Sequence, residues 1–406
     1  MTKTIISTLF FIFFQFILIA QNKQETIIKM IDEVTYLASD KLEGRETGTE
    51  SERIAAEYIS SKFKEYDLIE KGDTGYLQYF KATIRENPHS QITKKEITGV
   101  NVVGYINNNQ NQTIIIGAHF DHLGYGHFGS LYTGEKEIHN GADDNASGVS
   151  ILLNLSNSLQ SIKKYNYLFI AFSGEEHGLF GSSFYAKNPT IDLAKVRFMI
   201  NFDMVGRLNK EKIIAINGVG TSSKWRNLIN EANKFNLQLK TTESGVGPSD
   251  HTSFYLQDLP VLHFFTGQHE DYHKPTDDVD KINFEGMYTI HEYVKEIITL
   301  STKINTFDFQ KTKSDTTTAP RFKVTLGVMP DYLFNGEGMR IDGVSKEKTA
   351  EKFGILKGDI VMQMGNIQVK DMMGYMLGLS KFEKGDSTVV KLMRKGGIVT
   401  IPIVFQ

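Results

Sequence analysis

Ser173-Gly174-Glu175-Glu176-His177 is the stretch with the clearest capacity for chemistry. It follows the apolar run Tyr167–Phe172, which reads as a strand buried on both faces. Two adjacent carboxylates at the end of such a strand resist joint ionisation when they share a site. A cation removes the conflict: one Glu binds it while its neighbour handles protons from a water that the cation activates. Taken alone, a Glu-Glu pair reads as two solvated surface acids. The rest of the chain decides against that reading.

Comparable side chains recur just beyond other apolar runs. Thr113-Ile-Ile-Ile-Gly-Ala118 leads into His119-Phe-Asp121-His122, Val196–Phe202 into Asp203, and Leu259–Phe265 into Asp271-Tyr272-His273 a few residues on. Asn140-Gly-Ala-Asp143-Asp144-Asn-Ala-Ser-Gly148 precedes the apolar run Val149–Leu159, a predicted helix whose dipole favours acids at its start. Helical spacing of apolar residues also predicts helices over 25–37, 50–66, 178–186, 223–236 and 284–304. Strands are expected over 76–84, 98–106 and 212–217. This alternation predicts an α/β sandwich with a mostly parallel central sheet flanked by helices. In that architecture ligands sit beyond the carboxyl ends of the strands. Four loops would then deliver imidazoles and carboxylates to one rim.

Composition narrows the chemistry. The 406 residues include 45 Lys plus Arg and 48 Asp plus Glu, a formal charge of −3, so no basic stripe is available to follow a nucleic-acid backbone. There is no cysteine, hence no disulfide, no iron–sulfur cluster and no thiolate metal site. Any metal must sit on His, Asp and Glu. Lys3 followed by the apolar run Ile5–Ala20 reads as a secretory signal peptide over 1–20, cut after Ala20. That run is shorter than the ~20 residues a spanning helix needs. The expectation is export to the periplasm or the extracellular space, with no stable membrane span after cleavage.

The phrases Gly117-Ala-His-Phe-Asp-His122, Gly141-Ala-Asp-Asp-Asn-Ala-Ser-Gly148, Ser173-Gly-Glu-Glu176, Asn201-Phe-Asp-Met204 and Tyr272-His273 with Asp277 four residues on resemble the bacterial, secreted zinc-dependent aminopeptidases of peptidase family M28. They fall in family order across almost all of residues 25–304, within the expected catalytic domain over 21–305. The resemblance implies two zinc ions per chain, with Co2+ and Mn2+ also suited to such ligands. His119 and Asp203 would hold one, Glu176 and His273 the other, and Asp143 would bridge them. It implies that Glu175 is the general base, taking a proton from the attacking water and returning it to the leaving amine. Tyr272 resembles the family's oxyanion donor. Asp121 is expected to accept the second ring N–H of His119, and Asp250 with His251 to stand just behind the ligands. His122, His127 and His139 are read as shaping their loop, His177 as the start of a helix and Asp144 as a helix cap. Arg207 is read as ion-paired with a surface acid.

Residues 306–320 read as a polar linker. Beyond them, Gly338–Val344, the Gly354-x-x-x-Gly-Asp-Ile360 turn and the closing Val389–Phe405 strand pair resemble a small, β-rich bacterial PDZ domain over 321–406. The resemblance implies capture of a peptide C-terminus by strand addition, its carboxylate on the amides of Leu326, Gly327 and Val328. The expected function is hydrolysis of N-terminal residues from peptides that carry a free N-terminus. The alternatives are carboxypeptidase action, glutaminyl cyclisation, or a non-catalytic peptide-binding scaffold.

Overall fold

The computed structural model describes residues 21–85, 94–312, 324–330, 334, 336–344, 348–370 and 372–405. The expected signal peptide and residues 313–320 of the expected linker lie outside the described residues. Among the described residues no helix is long and apolar enough to cross a membrane.

Helix α1 covers 21–37 and α2 Glu50–Glu65, opened by Thr49, whose Oγ1 accepts the Glu52 amide. The strands are β1 Ile69–Glu70, β2 Leu77–Arg85, β3 Lys94–Ile106, β4 Thr113–His119, β5 Asn166–Phe172, β6 Val196–Phe202, β7 Ile213–Asn217, β8 Gln238–Thr241 and β9 Val261–Phe265. Between them lie α3 Gly148–Ser158, α4 Phe180–Lys187, α5 Trp225–Ala232 and α6 His251–Tyr255, and α7 Phe284–Ser301 follows. The strands form one sheet in the order β1-β3-β5-β4-β6-β9-β7-β8, with β2 on β3.

Alternation along β4 shows why the sheet is covered on both faces. Ile114, Ile116 and Ala118 join a core with residues of α1, α2, α3, α5 and α7, while Ile115 joins a second core with Tyr185 of α4 and Phe254 of α6. Period-two side chains that are apolar at every position demand this double cover. The expected α/β class holds, with a central sheet flanked by helices. The expectation of a mostly parallel sheet holds at its centre, where β5, β4, β6 and β9 run parallel, and for the edge pair β7 and β8. β3 is antiparallel to β1, β2 and β5, and β7 to β9. No helix separates β2 from β3 among the described residues, and parallel neighbours need such a crossover.

The four parallel strands end on the same side of the sheet at His119, Phe172, Phe202 and Phe265. The loops beyond them, with the turn before α3, form the rim the sequence leads one to expect.

After α7 the chain does not leave the body at once, as the expected linker from 306 would have it. Phe307 packs against Phe198 and Trp225 at ring-centroid distances of 4.9 and 4.8 Å. Asp308 accepts the Ser222 and Ser223 hydroxyls, and the Thr312 amide donates to the Tyr255 hydroxyl at 3.0 Å. The aromatic residues inside this polar stretch are what fasten it. A second sheet follows, formed by β10 Val328–Pro330, β11 Met339–Val344, β12 Ile360–Met364, β13 Ile367–Gln368, β14 Ser387–Arg394 and β15 Gly397–Val404. Helices α8 Thr349–Lys352 and α9 Met372–Leu379 accompany it, and its core, from Val324 to Phe405, is its own. In its Gly354–Ile360 turn the buried Asp359 accepts two bonds from Arg394, both 2.7 Å. Leu326 is buried, the Gly327 amide donates to Thr325 Oγ1 at 2.9 Å, and Val328 pairs with Val344 of β11.

Candidate metal centre

His119 closes β4 and is buried. Its Nδ1 lies 3.2 Å from the backbone carbonyl of Asp121. A carbonyl can only accept, so Nδ1 carries a proton and Nε2 is the ring atom turned towards the acids. That Nε2 faces two carboxylate oxygens, Asp144 Oδ1 at 3.4 Å and Asp203 Oδ1 at 3.3 Å. His273 repeats the arrangement from the loop after β9. Its Nδ1 donates to the Gly129 carbonyl at 2.8 Å, and its Nε2 faces Asp144 Oδ2 at 3.3 Å and Glu176 Oε2 at 3.2 Å.

Asp144 thus stands between two imidazoles and presents one oxygen to each. A lone pair facing carboxylate oxygens is repulsive unless a proton or a cation stands between them. The spacing favours the cation: two donors ~2.0–2.1 Å from a tetrahedral zinc stand about 3.3–3.4 Å apart. The four N···O separations match that edge. The donor set of imidazoles and carboxylates also suits zinc, so the residues fit the ion. Two groups of donor atoms lying within 4.8 Å of one another, His119–Asp144–Asp203 and His122–Asp144–Glu176, share Asp144.

The bridging position was expected at Asp143, and the structure places that side chain elsewhere. Asp143 Oδ1 accepts the Gly206 amide at 2.6 Å and the Ser147 hydroxyl at 3.0 Å, and Oδ2 lies 3.0 Å from His269 Nε2. A Cβ at Gly206 would come within 2.8 Å of Asp143 Oδ1, so glycine is required there. The two acids diverge because 142–147 form a single wide turn with Asp144 in extended geometry (φ −106°, ψ 89°), not the first turn of a regular helix. For the same reason Asp144 is not a helix cap. Asp277, buried, receives the amides of both Asp143 (2.9 Å) and Asp144 (3.0 Å) on one oxygen and Arg207 (3.1 Å) on the other. Arg207 also pairs with Asp271 at 3.1 Å.

The other expected residues sort as follows. Asp121 meets His119 through its carbonyl; its carboxylate is 3.6 Å from the ring and accepts the Thr47 hydroxyl (2.9 Å) and the Glu175 amide (3.2 Å). Asp250 and His251 are buried, outside the residues that line the cleft, with His251 stacked on His263 at 4.5 Å. Tyr272 stacks on the His273 ring at 3.8 Å and lines the cleft. His177 precedes α4 by three residues and packs on Phe128. His139 holds Ser130 at 2.7 Å within its loop.

His122, read as a loop residue, does more: its Nδ1 is 2.7 Å from Glu176 Oε1. That distance is a hydrogen bond, shorter than a coordination edge, and it orients the Glu176 carboxylate. His269 was missed altogether. The dense polar run Gln268–His273 was the available signal for it.

Electrostatics separate the two neighbouring glutamates. Burial pushes Glu175 well above the usual carboxyl range; His119 opposes this, while Asp203, Glu176 and Asp250 add to it. Burial also works against an ionised Glu176, but His273 and His122 outweigh it and hold that carboxyl well below the usual range. The two neighbours are therefore driven in opposite directions, Glu175 towards its protonated form and Glu176 towards the anion. The cleft is walled by Met204, Pro248, Phe265 and Tyr272 beside the charged groups, and among the described residues neither Lys nor Arg lines it.

Residues 101–298 match the family model described as Peptidase family M28. Aminopeptidase YwaD of Bacillus subtilis is 31% identical over 156 residues, 36% of this chain and 34% of that protein, so the chain spans about a third of the length of that relative. The crystal structure of BSAP, a zinc aminopeptidase from Bacillus subtilis, superposes with a TM-score of 0.55 at 18% identity, covering 68% of this chain and 95% of that one. The glutaminyl cyclase of Bacteroides thetaiotaomicron superposes with a TM-score of 0.54 at 17% identity, covering 67% and 97%. The stretch that carries every side chain of the cleft is thus M28-like in sequence and zinc-exopeptidase-like in fold.

Proposed function

We propose that the chain is a two-zinc aminopeptidase that removes N-terminal residues from peptides. The carrying observation is the pair of imidazole nitrogens, each with two carboxylate oxygens at 3.2–3.4 Å, arranged on either side of Asp144. On this reading His119 and Asp203 would hold one ion, His273 and Glu176 the other, and Asp144 would serve both. Zinc, when bound, supplies Lewis acidity and lowers the pKa of water towards neutrality.

The chain's own residues supply the rest. Glu175 takes the proton of the attacking water and returns it to the departing amine. Its backbone N–H donates to Asp121 Oδ1, which ties it to the loop that carries His119. Tyr272, held against His273, directs its hydroxyl to the carbonyl oxygen as charge builds there. A cleft lined by acids, with no Lys or Arg among the described residues, suits a substrate ammonium and offers no Lys or Arg there to pair with a substrate carboxylate, which favours aminopeptidase over carboxypeptidase action. Export through the apolar run 5–20 remains part of the proposal.

The test is a peptide panel with free and blocked N-termini, run with chelator and again after zinc is restored. Release of N-terminal residues from free peptides alone, lost with chelator and recovered with zinc, is expected. Release from the carboxyl end, or cyclised product from Gln-initiated peptides without hydrolysis, overturns the assignment.

A further inference from the structure

Three of the loops that form the candidate centre rest on one upstream turn, Arg45–Glu52. Arg45 is 1% exposed, yet its guanidinium bonds only main-chain carbonyls. Nε donates to Phe120 O at 2.8 Å, between His119 and Asp121. The terminal nitrogens donate to Asn140 O (2.6 Å) and Gly141 O (3.1 Å), at the start of the turn that carries Asp144, and to Leu37 O at the end of α1. Its own carbonyl accepts the His122 amide at 3.3 Å.

Two residues on, Thr47 Oγ1 donates to Asp121 Oδ2 at 2.9 Å. Glu52 Oε1 accepts the Ser173 hydroxyl at 2.5 Å and the Val100 amide at 3.0 Å, with Ser173 two residues before Glu175. The Gly48 amide closes the turn onto Glu52 Oε2 at 2.7 Å.

Such a buried cation costs free energy unless it is fully bonded. A fork of fixed N–H donors can span carbonyls from separate loops where a lysine ammonium cannot. Four carboxylates act on it through space, those of Asp121, Asp144, Asp277 and Glu176, so it also offsets the negative charge gathered at the centre.

We infer that Arg45 and Thr47 are positioning residues for the metal centre: Arg45 locks the His119 and Asp144 loops together, and Thr47 fixes Asp121, which in turn aligns His119 and Glu175. The inference rests on the metal-centre reading above. Both residues lie before residue 101, where the match to the family model begins.

The test uses the full chain stripped of metal, with zinc affinity and stoichiometry measured by competition against a chromogenic chelator, and melting temperature recorded for each variant. Thr47→Val keeps the shape and removes the donor. It is expected to weaken zinc binding roughly 10-fold or more, within the 10–100-fold typical of groups that orient metal ligands. Thr47→Ser is expected to return it to within about twofold of the wild type. Arg45→Lys, which keeps the charge but not the fork, is expected to weaken binding by a similar factor. Ile59→Val, a buried α2 change whose aliphatic side chain carries no donor to the centre, controls for general loss of stability. Wild-type zinc affinity in both Thr47→Val and Arg45→Lys overturns the inference and leaves the metal-centre reading standing. Equal affinity loss in Ile59→Val at a matched fall in melting temperature also overturns it. A wild-type chain that takes up no zinc removes the metal-centre reading itself.

Discussion

Exchanging the charge at the two adjacent aspartates separates a shared metal ligand from a structural acid. Asp144 supplies one of the two carboxylate oxygens facing each imidazole nitrogen. A four-ligand zinc site is worth roughly 10–16 kcal/mol, so one ligand carries about 2.5–4 kcal/mol, or 10²–10³ in affinity. Asp144→Asn is therefore expected to weaken both ions by that factor and to abolish most activity at micromolar zinc. Asp143→Asn differs in kind. An Asn oxygen can still accept the Gly206 amide and the Ser147 hydroxyl, and only the bond to His269 must be rearranged. A cost of about 1–2 kcal/mol in stability with less than a tenfold change in zinc affinity is expected. The assay is metal analysis of dialysed protein with chelator competition, alongside thermal melting of the metal-free forms. Two ions retained in Asp144→Asn, or both lost in Asp143→Asn, would refute the assignment of Asp144 as the shared ligand.

Further outcomes follow from the same geometry. Glu175→Gln should retain zinc and lose roughly 10²–10⁴ in turnover number; near-normal turnover would assign proton transfer to another group. Glu33 is buried between α1 and α3, where Ser150 Oγ and Asn154 Nδ2 each donate to it at 2.7 Å, and burial raises its carboxyl to about 8. The folded state therefore holds a proton that the unfolded chain loses above about 4.5, so stability should fall as pH climbs from about 4.5 to 8. The slope is at most ~1.4 kcal/mol per pH unit. Glu33→Gln should consequently gain on the wild type over that range in denaturant titrations with chelator present, and a pH-independent difference would sink the idea. Phe307→Ala should cost about 2–3 kcal/mol in denaturant titrations, less than a fully buried Phe because this ring is half-buried; an unchanged stability would show that the aromatic contacts to Phe198 and Trp225 do not fasten the segment.

Much of the site was legible because strand ends are legible. Uninterrupted apolar runs such as Thr113–Ala118 and Val196–Phe202 mark buried strands, and their final residues locate the rim. What periodicity could not settle was direction over a single residue. Asp143 and Asp144 have the same chemistry, and only the non-helical dihedral angles at Asp144 turn one acid to the imidazoles and the other to Gly206. The antiparallel flanks of the sheet were illegible for a related reason, since an apolar run does not declare the sense of its neighbour. Contacts such as His122 with Glu176 or His269 with Asp143 join residues 54 and 126 positions apart, and no local pattern reports them.

Asp277 gathers the two amides of the 143–144 pair across more than 130 positions, and Arg45 reaches Gly141 across 96. A nascent polypeptide therefore cannot offer a finished cation cradle until at least residue 277 has left the ribosome and its distant loops have closed. On the proposed function, ion uptake should come as the last event of maturation and act as its latch, because a cation would relieve the repulsion among the crowded carboxylates.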